Sequence, residues 1–151
     1  MARSKDGINF TLSDKNFIDT QSDEYPYPLY HHFIDNRVTK IDDWYYIITP
    51  VMVSGYDSPV GMLGRTKDFE SYERIEIITA PKNRGASLFP EKINGKYYKL
   101  DRPGGGDGSN GDIWISSSED LIHWGAFKPV IAAGYRFCLL YTSDAADDET
   151  S

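Results

Sequence analysis

The chain has 151 residues, with 16 Lys+Arg against 23 Asp+Glu for a net charge of −7, and its 13 glycines and 8 prolines interrupt it too often for long helices. Hydrophobic residues make up 40% and aromatics 14%, enough for one packed domain and too much for a disordered segment. The acidic balance excludes the basic footprint that nonspecific nucleic-acid binding needs. The longest uncharged aromatic-aliphatic stretch, Trp44 to Val53, contains Pro50 and is far too short to span a membrane. No charged-then-apolar N-terminal signal is present. These features predict a globular, β-rich chain with neither a nucleic-acid nor a membrane partner.

In chain order, Ser4-Lys5-Asp6 with Phe10 is the first of three strings that place a hydroxyl at one position, Asp two later and an aromatic six later. Thr66-Lys67-Asp68 with Tyr72 and Ser118-Glu119-Asp120 with Trp124 are the others. Ser/Thr and Asp side chains bond nearby backbone amides in tight turns, and the aromatic packs under the turn as the next strand begins. Each copy therefore predicts a hairpin. His31 and His32 would point to opposite faces of a strand, which argues against paired metal ligation.

The string Lys40-Ile41-Asp42-Asp43-Trp44-Tyr45-Tyr46 returns as Lys92-Ile93-Asn94-Gly95-Lys96-Tyr97-Tyr98, an offset of 52 that also separates Asp68 from Asp120. Asp42-Asp43 and Asn94-Gly95 are turn dipeptides between apolar-aromatic strands. The equivalence of Tyr45 and Tyr46 with Tyr97 and Tyr98 predicts that at least one of each pair is core. Gly104 to Gly111 (GGGDGSNG) lacks the Lys-Ser/Thr ending of a phosphate loop and precedes a strand-like stretch, so it reads as a flexible hairpin connection. His123, inside the third turn string, reads as structural. There is no EF-hand, zinc or nucleotide motif, and no metal or organic cofactor is expected.

Cys138 to Asp148 read CLLYTSDAADD, the in-frame translation of a sequencing adapter. Residues 138–151 are accordingly expected to be read-through, not native sequence, with the gene cut near Phe137. That segment carries Asp144, Asp147, Asp148 and Glu149 and no base, so without it the net charge falls from −7 to −3, and the single cysteine disappears as well.

A period near 50 residues built from four short strands suits a propeller blade, in which neighbouring sheets bury each other's faces around a channel. Residues 1–137 would hold about two and a half blades at that period. A ring cannot close with that number, so the expected architecture is an all-β, partial β-propeller cut from a longer one. A sandwich or an open sheet of the same strands is the competing arrangement.

ARSKDGINF near the start, FIDNRVTKIDDWYYI from Phe33 to Ile47, NRGASLFPEKINGKYYKLDRP from Asn83 to Pro103 and GDIWISSSEDLIHWG from Gly111 to Gly125 together resemble glycoside hydrolase family 130, the β-mannoside phosphorylases and related mannosidases. The resemblance runs in order through most of residues 1–137. It implies a five-bladed β-propeller with its active site at the mouth of the central channel. It also implies a role for Asp35, which opens an Asp-x-Arg element like the family's general-acid motif. Many members have Asp-Pro-Arg where this chain has Asp35-Asn36-Arg37. Cleaving a glycosidic bond requires protonating the leaving oxygen, which a positioned carboxylic acid can do; in the family that proton passes through a sugar hydroxyl. On its residues alone, Asp before Asn is a turn former.

Phosphate can attack the anomeric carbon itself, so a phosphorylase needs a cationic cradle where an inverting hydrolase needs a second carboxylate. Arg84 and Arg102 occur where the resemblance implies phosphate-binding arginines, and a guanidinium fork can contact two phosphate oxygens at once. Surface salt bridging is the alternative for both. Arg37, Asn83 and Asp101 are candidates for support or sugar binding. The expected reaction is inverting phosphorolysis of a β-mannoside oligosaccharide to α-mannose 1-phosphate, with phosphate as co-substrate. A hydrolase of the same family and a noncatalytic glycan-binding propeller are the rivals. The chain alone is expected to be inactive and to expose sheet edges. A cytoplasmic location is the default for an enzyme consuming intracellular phosphate. The acceptor sugar and any homo-oligomerisation of the parent stay open.

Overall fold

A computed structural model describes residues 2–14, 17–18, 29–31, 35–53, 58–104 and 111–132. The Gly-rich connection inside Gly104 to Gly111, His32 and the expected read-through segment lie wholly or partly outside these residues. All regular structure among the described residues is β, as the composition predicts. A short hairpin pairs β1 (Ala2–Arg3) with β2 (Thr11–Leu12).

The first large sheet contains β3 (Leu29–His31), β4 (Arg37–Ile41), β5 (Trp44–Val53), β6 (Pro59–Thr66) and β7 (Glu73–Ile77). The second contains β8 (Asn83–Leu88), β9 (Tyr97–Pro103), β10 (Ile113–Ser118) and β11 (Gly125–Ile131). Strands run in the order β3-β5-β6-β7, with β4 also on β5, and β11-β10-β9-β8; every pairing is antiparallel.

The 52-residue offset is reproduced in the central ladders. Ile47, Ile48 and Thr49 pair with Gly64, Leu63 and Met62, and Lys99, Leu100 and Asp101 pair with Ser116, Ile115 and Trp114. Both repeated turns also form. Asp42 takes a positive φ of 52° between β4 and β5, and Asn94 and Gly95 take 51° and 79°, the pair of positive values that a type I′ hairpin requires.

The three hydroxyl-x-Asp strings share one backbone arrangement, although the expected packing of the aromatic fails in the first, where Phe10 is exposed on a two-strand hairpin. In each, the hydroxyl oxygen of Ser4, Thr66 or Ser118 accepts from the backbone N–H groups two and three residues on. One carboxylate oxygen of Asp6, Asp68 or Asp120 accepts from those two and three residues beyond it. The residue after each Asp adopts positive φ: Gly7 74°, Phe69 58° and Leu121 69°. Each turn closes a hairpin, β1–β2, β6–β7 or β10–β11. His123 belongs to the third as a ring partner of Asp120, at 2.7 Å.

The two large sheets pack face to face. Ile41, Tyr46, Ile48, Leu63 and Ile78 meet Ala86, Leu88 and Leu121 in one buried cluster, with Trp44, Tyr97 and Trp124 at its margin. Tyr46 is thus a core member of the first repeated tyrosine pair, whereas in the second pair Tyr97 and Tyr98 are only half-buried, Tyr97 against the margin of the cluster. The Thr39 hydroxyl donates across to the Leu88 carbonyl at 3.3 Å. The aromatic of the second turn decides a neighbouring residue: a Cβ on Gly64 would fall 2.2 Å from the Tyr72 ring.

Two outcomes follow. Gly64→Ala overpacks this site and lowers unfolding free energy by roughly 1–3 kcal/mol in denaturant titration. Backbone amides at Ser71 and Glu70 hold the Asp68 carboxyl down to about 2, below its ordinary value near 3.9. A depressed folded-state value stabilises the fold above the unfolded value and loses that contribution as pH falls through the folded one. Thermal melts should therefore show a stability decrement between about pH 4 and pH 2 that is smaller in Asp68→Asn.

Candidate functional site

The site begins with a mismatch in strand length. In the second sheet Asn83 pairs with Pro103 and Leu88 with Lys99, so β8 spends five steps where β9 spends four. The surplus is a bulge between Asn83 and Gly85: Gly85 pairs with Arg102, and Arg84 is the extra residue. At the same point of the first repeat, His31 pairs with Val51 and Val38 with Ile47, so the edge strand spends seven steps where β5 again spends four. That larger surplus separates β3 from β4, and Asp35 sits in it with a φ of 60°. Pro50, which has no N–H to donate, falls opposite this interruption, at the position equivalent to Arg102.

Asp35 and Arg84 therefore occupy corresponding interruptions in neighbouring edge strands. The Asp35 side chain is 43% exposed, and one of its oxygens lies 4.0 Å from an Arg37 guanidinium nitrogen, itself exposed. Chain connectivity puts both interruptions at one end of the sheets. β4 starts opposite Ile48, whose partner Leu63 pairs with Glu76; β7 ends one residue later, and only five residues separate that end from Asn83. The Arg102 side chain is half-buried, and its Nε lies 3.7 Å from where a Cβ on Gly85 would stand.

Asn83 and Asp101, the chain neighbours of Arg84 and Arg102, belong to a buried polar cluster. Asn83 donates through Nδ2 to Asp101 Oδ1 at 3.0 Å and accepts at Oδ1 from the Gly85 N–H at 3.2 Å. The other Asp101 oxygen takes the Lys99 ammonium and the Ser116 hydroxyl, the latter at 3.1 Å. Lys99 and Asp101 are 1% and 4% exposed. The ammonium also lies 4.9 Å from the Trp124 ring centre and 5.7 Å from that of Phe127, so aromatic faces supply part of the solvation that water would. Burial pushes the Lys99 ammonium down from its ordinary value, while Asp101 pulls the other way. A cavity of about 340 Å³ opens beside the cluster, with Thr79, Asn83, Asp101, Trp114 and Phe127 among its walls.

The sequence candidates thus fall into two groups. Asp35 and Arg37 stand at the first interruption, and Asn83, Arg84, Asp101 and Arg102 gather at the second. Asn83 and Asp101 spend their polar atoms on each other, on Lys99, on Ser116 and on the bulge. Sequence reading missed Lys99 and Ser116. A signal for Lys99 existed, because Lys99 and Asp101 alternate onto one face of a strand where the first repeat carries Ile47 and Thr49. No group of His, Cys, Asp and Glu able to hold a metal ion occurs among the described residues.

Removing one member of a buried ion pair strands the other charge. Lys99→Met should cost about 3–5 kcal/mol of stability by equilibrium denaturation, and adding Asp101→Asn should recover most of it.

Residues 1–141 match glycoside hydrolase family 130, described as beta-1,4-mannooligosaccharide phosphorylase. A beta-1,2-mannobiose phosphorylase of Listeria innocua is 45% identical over 134 residues, which cover 87% of this chain and 35% of that protein. A 1,2-beta-oligomannan phosphorylase of Thermoanaerobacter sp. is 36% identical over 131 residues, covering 86% and 41%. A solved structure of a Listeria innocua beta-1,2-mannobiose phosphorylase in complex with beta-1,2-mannobiose superposes with a TM-score of 0.71 at 42% identity, over 86% of this chain and 35% of that one. The chain spans between a third and a little over two fifths of these proteins. With the family match covering nearly all of its residues, the chain belongs to glycoside hydrolase family 130.

Proposed function

We propose that this chain is part of a five-bladed β-propeller enzyme whose parent cleaves a β-mannoside with inorganic phosphate. A phosphate oxygen bonds to the anomeric carbon as the glycosidic C–O bond breaks, and inversion gives α-mannose 1-phosphate. Asp35 is the general acid, and its proton reaches the leaving oxygen through a sugar hydroxyl. Arg84 and Arg102 hold the phosphate, two cations that bind the anion and orient one of its oxygens toward the electron-poor anomeric carbon. No metal or organic cofactor takes part.

The observation that carries this reading is the pair of matching interruptions at one end of the two sheets, with a solvent-accessible carboxyl in one and two arginine positions in the other. In a paired strand side chains alternate strictly between the two faces of the sheet, and a break in the ladder re-aims a side chain away from that alternation. The exposure of Asp35 suits an acid that must meet a substrate. Family membership, and the phosphorylase activity named for the relatives, support the substrate class.

In the full-length parent, Asp35→Ala should lower phosphate-dependent release of mannose 1-phosphate by roughly 10²–10⁴-fold, while calorimetry still detects mannoside binding. Unchanged turnover would overturn the assignment. Release of free mannose by the unsubstituted parent in phosphate-free buffer would favour hydrolysis instead.

A further inference from the structure

We infer that Lys99, Asp101 and Asn83 are positioning residues for the phosphate side of this site, acting through the backbone bulge that carries Arg84; the inference rests on the phosphorolysis reading above. A one-residue bulge is a soft feature, since its extra residue has no ladder partner to fix it. Here it is pinned from within. Asn83 Oδ1 accepts the N–H of Gly85, the residue on the far side of Arg84, at 3.2 Å. Asn83 can hold that atom in place only because its own Nδ2 is tied to Asp101 at 3.0 Å. Asp101 is held in turn by Lys99 and by Ser116 at 3.1 Å.

The chain of contacts therefore runs from a caged ammonium to the amide beside Arg84. Asp101 is the strand neighbour of Arg102, and Arg102 is the residue opposite the bulge. Fixing this one segment fixes the backbone of both arginines.

The first repeat supplies an internal control. Its central ladder keeps the same register, with Ile47, Thr49 and Gly64 at the positions of Lys99, Asp101 and Ser116. Sheet formation in this register thus does not demand a buried ion pair, and the pair occurs in the repeat that carries the two arginines. Desolvation offsets much of the attraction within a buried pair of charges, so net stability does not account for this one, and positioning does.

The test uses the full-length parent, with KM measured separately for inorganic phosphate and for the mannoside and with Tm recorded for each variant. Asn83→Ala, which frees the Gly85 amide, should raise KM for phosphate at least tenfold and leave KM for the mannoside within twofold. Lys99→Met should show the same split. Adding Asp101→Asn should return KM for phosphate to within threefold of the starting value, since the amide oxygen still accepts from Asn83; this comparison decides the matter if Asn83→Ala does not fold. Equal rises in both KM values, a rise for the mannoside alone, or an unchanged phosphate KM in Asn83→Ala would overturn the positioning role. Phosphate-independent turnover by the unsubstituted enzyme would overturn the phosphorolysis reading itself, and is seen before any variant is made.

Discussion

The constraint on which the rest depends is a difference in length between paired strands. β5 and β9 each advance four steps between two fixed pairings, while the edge strands beside them carry seven and five. An antiparallel ladder matches residues one to one, so a surplus cannot be spread along it and must leave the sheet at one place. Both surpluses leave at the same place in the repeat. Asp35 and Arg84 fall at those two places, while the central ladders on either side keep a common register.

That division lets one scaffold serve two repeats of different character. The first repeat fills its central positions with Ile47, Thr49 and Gly64, and Gly64 yields its space to Tyr72. The second puts Lys99, Asp101 and Ser116 there and surrounds the ammonium with Trp124 and Phe127. Trp124 therefore has two tasks. It closes the third turn by donating its indole N–H to the Leu121 carbonyl at 3.0 Å, and it walls in the charge behind the bulge. The same turn motif that stabilises a hairpin thereby helps to build the polar cluster.

Much of the fold was legible because its signals are local. A hydroxyl and a carboxylate two residues apart satisfy four backbone amides without help from the rest of the chain, so the three turns could be read from composition and spacing. Asn94-Gly95 likewise needs only positive φ at two positions. Arg84, Arg102 and Asp35 came from resemblance to a family, and no local rule would have separated them from surface charges. Charged residues in a strand are usually solvated, and the burial of Lys99 depends on Trp124 and Phe127, which lie 25 and 28 positions along the chain.

The sequence by itself determined the repeat, its hairpins and the β class, since each rests on interactions within a few residues or on a period written along the chain. Tertiary structure alone decided where the edge strands break step with their partners, which face of β9 is sealed, and that Asn83 holds the bulge with one end of its amide while the other is tied to Asp101. Those outcomes depend on register between segments distant in the chain, and a register is a property of two strands together that neither strand carries alone.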